Sequence, residues 1–188
     1  INIEKPVKKA VMNTVALGYG EYTINGKTYA TNLKNTHIGS YYLMFYNKAL
    51  IDKYDMEDPY KLWKNKKWTW KKFIKLAEDF RAESGAKYGA TANNWDTWAT
   101  CYGISGPLSF DGKKYTNIVT TNNFIKTCEK IGDLYHTEKL FGHFKVDEFD
   151  RGEILFYAGN GIYGRRKNAY FAALKGAGTL YAVPMPSI

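Results

Sequence analysis

The sequence has no run of about 20 apolar residues, so we predict no membrane-spanning helix. It also lacks C-x-x-C, H-x-x-x-H, H-E-x-x-H and G-x-S-x-G, which excludes the common zinc and serine-hydrolase signatures. The three histidines are scattered along the chain, and no pair of carboxylates stands out in a polar loop, as a glycosidase would need. We therefore predict a protein without enzymatic activity, with no catalytic residue, no metal site and no cofactor.

Cysteine is scarce as well, with only Cys101 and Cys128 among 188 residues. Two cysteines are enough for one disulfide, and the sequence does not decide whether they form it. Cys128 falls on an apolar helical stripe with Phe124, Ile131 and Tyr135, so we predict a buried thiol there.

Positive charge is abundant but local. The net charge is +9, and residues 58–75 alone contain seven lysines and one aspartate, a net +6. This segment also holds three of the five tryptophans, which raises the possibility of a nucleic-acid surface. On a helical wheel from Trp70, however, the apolar side chains lie opposite the lysines. We therefore predict a solvated lysine face, or at most a docking surface for a membrane or a permease, and no nucleic-acid partner.

The same segment shows how the helix begins. Thr69 is a suitable N-cap, and Trp68 before it and Phe73 after it have the spacing of a hydrophobic staple. The sequence therefore predicts a helix over residues 70–84, with Trp70 in the core and Lys71 in solvent.

Strand and helix signals alternate along the whole chain. Predicted helices follow Pro6, cover 121–138 and occupy 165–176, and a hairpin surrounds Asn25–Gly26. Strands are predicted in "SYYLMFYN", "KYGATAN", "EILFYAG" and "TLYAVPM", with the first of these buried on both faces. This alternation predicts an α/β fold with a mixed sheet flanked by helices.

"GNGIYG", residues 159–164, matches the G-x-G-x-x-G dinucleotide motif between a predicted strand and a predicted helix. A dinucleotide site needs an acidic residue about 20 positions later, and no Asp or Glu follows Glu153. We therefore reject dinucleotide binding. The turn still lets a ligand approach the backbone, and N–H groups at a helix start favour oxygen-rich groups. Arg165 and Arg166 either add to that preference or point into solvent.

"TANNWDTW", residues 91–98, follows a strand and combines amides with two indoles. Amides donate to and accept from hydroxyls, while an indole face covers the C–H side of a sugar ring. The alternative is that Asp96 caps a helix and Trp98 enters the core, and we predict the core position for Trp98 but a ligand-facing position for Trp95. Because ligands gather at the carboxyl ends of strands in open α/β sheets, we predict that both loops share one site. Its residues are Trp95, Asn93, Asn94, Asn160 and Tyr163.

The ordered pieces "INGKTYA", "LMFYNKALID", "DPYKLWKNKKWTWKKFIKLAEDF", "FDRGEILFYAGNGIYG" and "LYAVPMPS" resemble the extracellular solute-binding proteins of bacterial ABC transporters, the sugar-binding family that includes maltose-binding protein. The resemblance covers about residues 22–187. It implies a lobe of a type II periplasmic-binding-protein fold. Residues 1–38 would be a remnant of the first lobe, and 39–188 the hinge strand and second lobe of a longer protein. In this resemblance Trp95 takes the sugar-stacking position, Asn93 a polar contact, and Ile162 or Tyr163 a second aromatic position, of which we choose Tyr163.

The resemblance also implies a function. It implies an exported receptor, either anchored at the cell surface as a lipoprotein or periplasmic, and monomeric, which binds an oligosaccharide or sugar between two lobes and then docks on a permease. Two departures concern ligand identity: no proline follows the "GKTYA" strand, and "EILFYA" is bulkier than is usual at its position. Three alternatives stay open: a glycan-active hydrolase, a binder of nucleic acid or anionic surfaces, and the same fold with a peptide, polyamine or anionic ligand.

Overall fold

The computed structural model describes residues 21–24, 27–31, 42–99, 101, 108–110, 115–164 and 169–187. The predicted helix after Pro6, the Asn25–Gly26 turn, Arg165 and Arg166 lie outside the described residues. The chain forms two compact units, of which one comprises residues 1–39 with 106–120 and the other residues 40–105 with 121–188. The predicted lobe boundary between residues 38 and 39 stays a prediction.

The first unit contains two antiparallel hairpins in its described part. β1 (Glu21–Ile24) pairs with β2 (Lys27–Thr31), as the sequence predicts, and β5 (Leu108–Phe110) pairs with β6 (Tyr115–Asn117), which the sequence analysis missed.

The second unit has a five-stranded mixed sheet in the order β7-β4-β8-β3-β9. β4 is parallel to both β7 and β8, whereas β3 is antiparallel to both β8 and β9. This confirms the predicted α/β class with a mixed sheet. The strands are β3 (Tyr42–Asn47), β4 (Ala90–Ala92), β7 (Phe141–His143), β8 (Phe156–Asn160) and β9 (Leu180–Pro184).

Seven α-helices of the described residues accompany this sheet. They are α1 (Lys48–Lys53), α2 (Pro59–Lys64), α3 (Trp70–Ser84), α4 (Trp95–Ala99), α5 (Asn122–His136), α6 (Val146–Asp150) and α7 (Ala172–Gly176). None of the helices in the described ranges combines the length and apolar character needed to cross a bilayer.

α3 follows the sequence prediction at both ends. The Thr69 hydroxyl accepts from the Lys72 N–H at 3.3 Å, and the Trp68 and Phe73 rings meet edge to face at 6.2 Å, which confirms the staple. At the other end Gly85 closes the helix in the left-handed region, where glycine has no Cβ penalty. Trp70 is buried and packs edge to face on Phe73, Trp98 and Phe141.

Three sequence predictions are corrected. Cys128 is only half-buried, because α5 turns Thr127, Ile131, Leu134 and Tyr135 into the core, and both cysteines are free thiols. The predicted helix over 165–176 is helical only from Ala172 in its described part, since Phe171 before it is left-handed. Tyr60 and Trp63 are exposed among the lysines, because residues 59–64 form a helix of their own.

We predict that Trp70→Ala lowers the free energy of unfolding by about 3–5 kcal/mol, because it opens a cavity inside the aromatic cluster. Lys71→Ala, one residue away on the exposed face, is the matched control and should cost less than about 0.5 kcal/mol. Urea unfolding measures both. Equal, small losses would show that α3 is not packed as described.

Alkaline pH should destabilise this fold. Burial, with the hydrogen bond from the Tyr46 hydroxyl to Asp58 as a further cause, raises the pKa of Tyr46 far above its ordinary value of 10.0, and burial also raises the pKa of Tyr157. Above about pH 10 the unfolded chain ionises these phenols while the folded chain keeps them protonated. Stability is therefore full below that pH and falls as the pH rises through it.

Urea unfolding at pH 8 and pH 11 checks this expectation. At pH 8 the Tyr46→Phe variant should be about 1–2 kcal/mol less stable than the parent chain, because the bond to Asp58 is missing. Between pH 8 and pH 11, however, its free energy of unfolding should fall by less than that of the parent chain. Tyr60→Phe, which alters an exposed ring, should lose as much free energy of unfolding between the two pH values as the parent chain does. An equally large loss in Tyr46→Phe would contradict the role of Tyr46 in the pH dependence.

Candidate functional site

Three parallel strands end together at one edge of the sheet, which we call the carboxyl edge. Ala92 of β4 lies opposite His143 of β7 on one side and Ala158 of β8 on the other. The loops 91–98 and 159–164 therefore lie at the same edge. Because neighbouring strands are about 4.8 Å apart, His143 of β7 and Ala158 of β8 are separated by about 10 Å.

Asn93 joins the two loops. Its backbone N–H donates to the Ala158 carbonyl at 3.0 Å. Its side-chain Oδ1 accepts from the Tyr163 hydroxyl at 3.0 Å and from the Tyr157 hydroxyl at 3.3 Å. Oδ1 is therefore used within the protein, and Nδ2 is the atom through which Asn93 can donate to a ligand.

Asn160 shapes the glycine turn that follows β8. Residues 161–164 form a 3-10 turn, and the Asn160 Oδ1 accepts from the Ile162 N–H at 3.0 Å. The prediction of a helix start with N–H groups offered to a ligand is wrong at this N–H, because the protein's own amide side chain already occupies it. The Asn160 Nδ2 is left as a donor.

Tyr163 is half-buried in a group of aromatic rings. Its ring centroid lies 4.5 Å from that of Tyr170 and 6.2 Å from that of Tyr157. A Cβ on Gly159 would lie 2.6 Å from the Tyr157 ring and 3.2 Å from the Tyr163 ring, so this packing requires glycine there. Burial raises the pKa of Tyr163, which keeps its hydroxyl protonated. Ile162, the other choice at this position, is 41% exposed.

The predicted loop 91–98 is partly helical. α4 begins at Trp95, directly after the carboxyl edge, so Asp96 is its second residue and does not precede it. Asn94 is exposed, and its carbonyl accepts from the Thr97 N–H at 3.2 Å. Trp98 is fully buried, which confirms its predicted core position. The role of Trp95 as a sugar-stacking residue stays a prediction.

The sequence analysis missed the third strand end, that of β7. His143 stacks on Tyr135 with ring centroids 4.2 Å apart, and the Tyr135 hydroxyl accepts from the Trp98 Nε1 at 2.7 Å. Phe144 follows with a φ of 44° and 54% exposure. A bulky residue at positive φ is strained, and such strain is frequent at functional sites. The apolar run "LFGHF", residues 140–144, was the sequence signal that could have indicated β7.

Thr91 holds this loop against β4. Its buried hydroxyl donates to the Gly142 carbonyl at 2.8 Å and accepts from the Lys145 N–H at 2.9 Å. One side chain thus sets the position of residues 143–145 along the carboxyl edge.

The larger cavities of the described residues do not lie at the carboxyl edge. Two cavities of about 470 and 490 Å³ lie elsewhere, one beside Tyr54 and Tyr88 and one between α3 and α5, and neither includes a predicted site residue. In the ranges described, no three His, Cys, Asp or Glu side chains are placed to hold a metal ion. The chemistry on offer is therefore hydrogen bonding from amides and hydroxyls beside aromatic rings.

No protein-family model matches the sequence, and no curated protein matches it at a significant level. Solved structures do match in fold. The sugar-binding protein MalE of Xanthomonas citri has a TM-score of 0.65 at 15% identity, over 100% of this chain and 48% of that chain. The GacH receptor of Streptomyces glaucescens, solved unliganded and with acarbose, has a TM-score of 0.58 at 18% identity, over 94% and 50%.

Maltose-bound MalE3 of T. maritima has a TM-score of 0.55 at 16% identity and covers 95% of this chain and 44% of its own. The chain therefore spans about half the length of these solved proteins. At sequence identities of 15–18%, the similarity to these solved structures establishes the fold alone. The described chain has the α/β fold of a lobe of the sugar-binding ABC solute-binding proteins, as the sequence resemblance implies.

We predict that Thr91→Val, a change of similar shape, costs about 1–3 kcal/mol and exposes the Lys145 amide to hydrogen exchange, because both bonds of the buried hydroxyl are lost. Thr127→Val is the matched control, since it removes another buried hydroxyl whose bond stays within α5. Unchanged protection of the Lys145 amide in Thr91→Val would disprove the role of Thr91.

Proposed function

We propose that this protein is a non-enzymatic solute receptor of an ABC importer, and that its carboxyl edge is one wall of a carbohydrate site. The observation that carries the proposal is the alignment of three parallel strand ends, because His143 of β7 and Ala158 of β8 flank Ala92 of β4 about 10 Å apart. The likeness in fold to proteins solved with maltose and acarbose supports this assignment.

The residue types at the edge suit a sugar. The Nδ2 groups of Asn93 and Asn160 and the exposed Asn94 side chain offer donors and acceptors for hydroxyl groups. Tyr163 and Trp95 offer aromatic surface for the C–H face of a pyranose ring. Phe144 extends this surface to the end of β7, so the site favours an oligosaccharide over a single sugar.

Binding would proceed as in the receptors that the sequence resembles. The ligand first meets one lobe, a second lobe closes over it, and the closed form docks on a permease. We infer from this mechanism a monomer that works outside the cytoplasmic membrane, held there by a lipid anchor or free in a periplasm. A single wall supplies part of the contacts, so binding to the described edge alone should be weak.

Oligosaccharide titration by calorimetry tests the proposal, using maltooligosaccharides and the longest natural form of the protein. Trp95→Ala should weaken binding by about 1–3 kcal/mol through loss of ring stacking, and leave the free energy of unfolding nearly unchanged. Phe144→Ala should weaken binding of long oligosaccharides more than that of maltose. Trp63→Ala, which alters an exposed tryptophan on α2, is the matched control and should not change binding.

The same titration distinguishes the alternatives. A receptor returns the oligosaccharide intact, whereas cleaved products would indicate a hydrolase. If no saccharide binds but a peptide, polyamine or anion does, and Trp95→Ala weakens that binding, then the protein is a receptor whose ligand is not a sugar. A large stability loss in Trp95→Ala with unaltered binding would place Trp95 in the core and reject this site.

A further inference from the structure

α2 presents an exposed aromatic pair. Pro59 and Leu62 are buried, whereas Tyr60 is 42% and Trp63 41% exposed. Their ring centroids lie 5.7 Å apart, and the Lys64 Nζ lies 5.5 Å from the Tyr60 ring and 5.9 Å from the Trp63 ring. Two large rings and a cation thus form one protruding cluster.

Lysines without a salt bridge follow the pair along the chain. In the part of the chain that the structure describes, no carboxylate lies within salt-bridge distance of four exposed lysines: Lys61, Lys64, Lys66 and Lys67. Among the carboxylates of residues 52–58, Asp52 and Asp58 contact Lys48 and Glu57 contacts Lys72, whereas Asp55 is in no salt bridge of the described residues. We call Tyr60, Trp63 and the four lysines the α2 patch.

We propose that the α2 patch binds the surface of an anionic lipid bilayer. Tryptophan and tyrosine concentrate at the membrane–water interface, where an apolar ring and a polar group are both satisfied. Lysines beside them are attracted to the negative surface potential of acidic lipids. The proposal does not depend on the sugar site.

A nucleic acid fits this surface less well. Strand-binding proteins combine stacking rings with a basic groove that follows the phosphates. The cavity beside α2, of about 370 Å³, is not a basic groove, because four carboxylates line it together with three lysines: Asp52, Asp55, Glu57 and Asp58 with Lys48, Lys61 and Lys67. The two exposed rings also contact each other and Lys64, which limits their access to a base.

Co-sedimentation with vesicles tests the proposal on the whole chain. Vesicles of phosphatidylcholine and phosphatidylglycerol should bind the protein, vesicles of phosphatidylcholine alone should bind it much less, and binding should weaken as salt rises toward about 0.15 M. Tyr60→Ala with Trp63→Ala should reduce the partition coefficient by about ten-fold. Lys61→Gln, Lys64→Gln and Lys67→Gln together should reduce it by about 100-fold.

Ile125→Ala with Lys126→Gln is the matched control, because it removes an exposed apolar side chain and a lysine from α5 instead. It should keep the parent's partition coefficient. Three results would overturn the proposal: no binding to acidic vesicles at low salt, equal losses in the α2 and α5 variants, or tighter binding to single-stranded DNA than to acidic vesicles.

Discussion

The parallel pairing of β4 with β7 on one side and β8 on the other is the constraint on which the second unit depends. β4 has three residues, all buried and small, so helices approach the sheet closely. At its start a Cβ on Gly89 would lie 2.3 Å from the Ala77 carbonyl oxygen, which shows how closely α3 packs there. At its end the same register places three loops side by side. Core packing and the candidate site therefore share one short strand.

The sequence predicts long elements well and short ones poorly. α3 has a side-chain cap, an apolar stripe and a terminal glycine, so local signals define both of its ends. β7, α2 and α6 contain three to six residues, too few for a hydrophobic period to show. Elements of that length form because tertiary contacts stabilise them. Thr91 and the Tyr135–His143 stack are such contacts for β7.

The candidate site was also only partly predictable from the sequence. The position of Asn93 and Asn160 followed from the rule that loops after parallel strands share an edge. Their hydrogen bonds were not predictable, because Asn93 accepts from hydroxyl groups 64 and 70 residues further along the chain. Such distant pairings have no local sequence signal. They also change the chemistry, since the amide oxygen that the sequence offers to a ligand is used inside the protein.

The tryptophans of residues 58–73 show how one chain reversal decides the character of a surface. Lys66 has a φ of 56°, and the N–H groups of Lys66 and Lys67 donate back to the carbonyls of Trp63 and Leu62. This reversal ends α2 and leads directly to Trp68, which is buried. The wheel drawn from Trp70 places Trp70, Phe73 and Phe80 opposite the lysines, but it does not cover residues 59–64. Because those residues form a helix of their own, Trp63 is exposed beside Lys64.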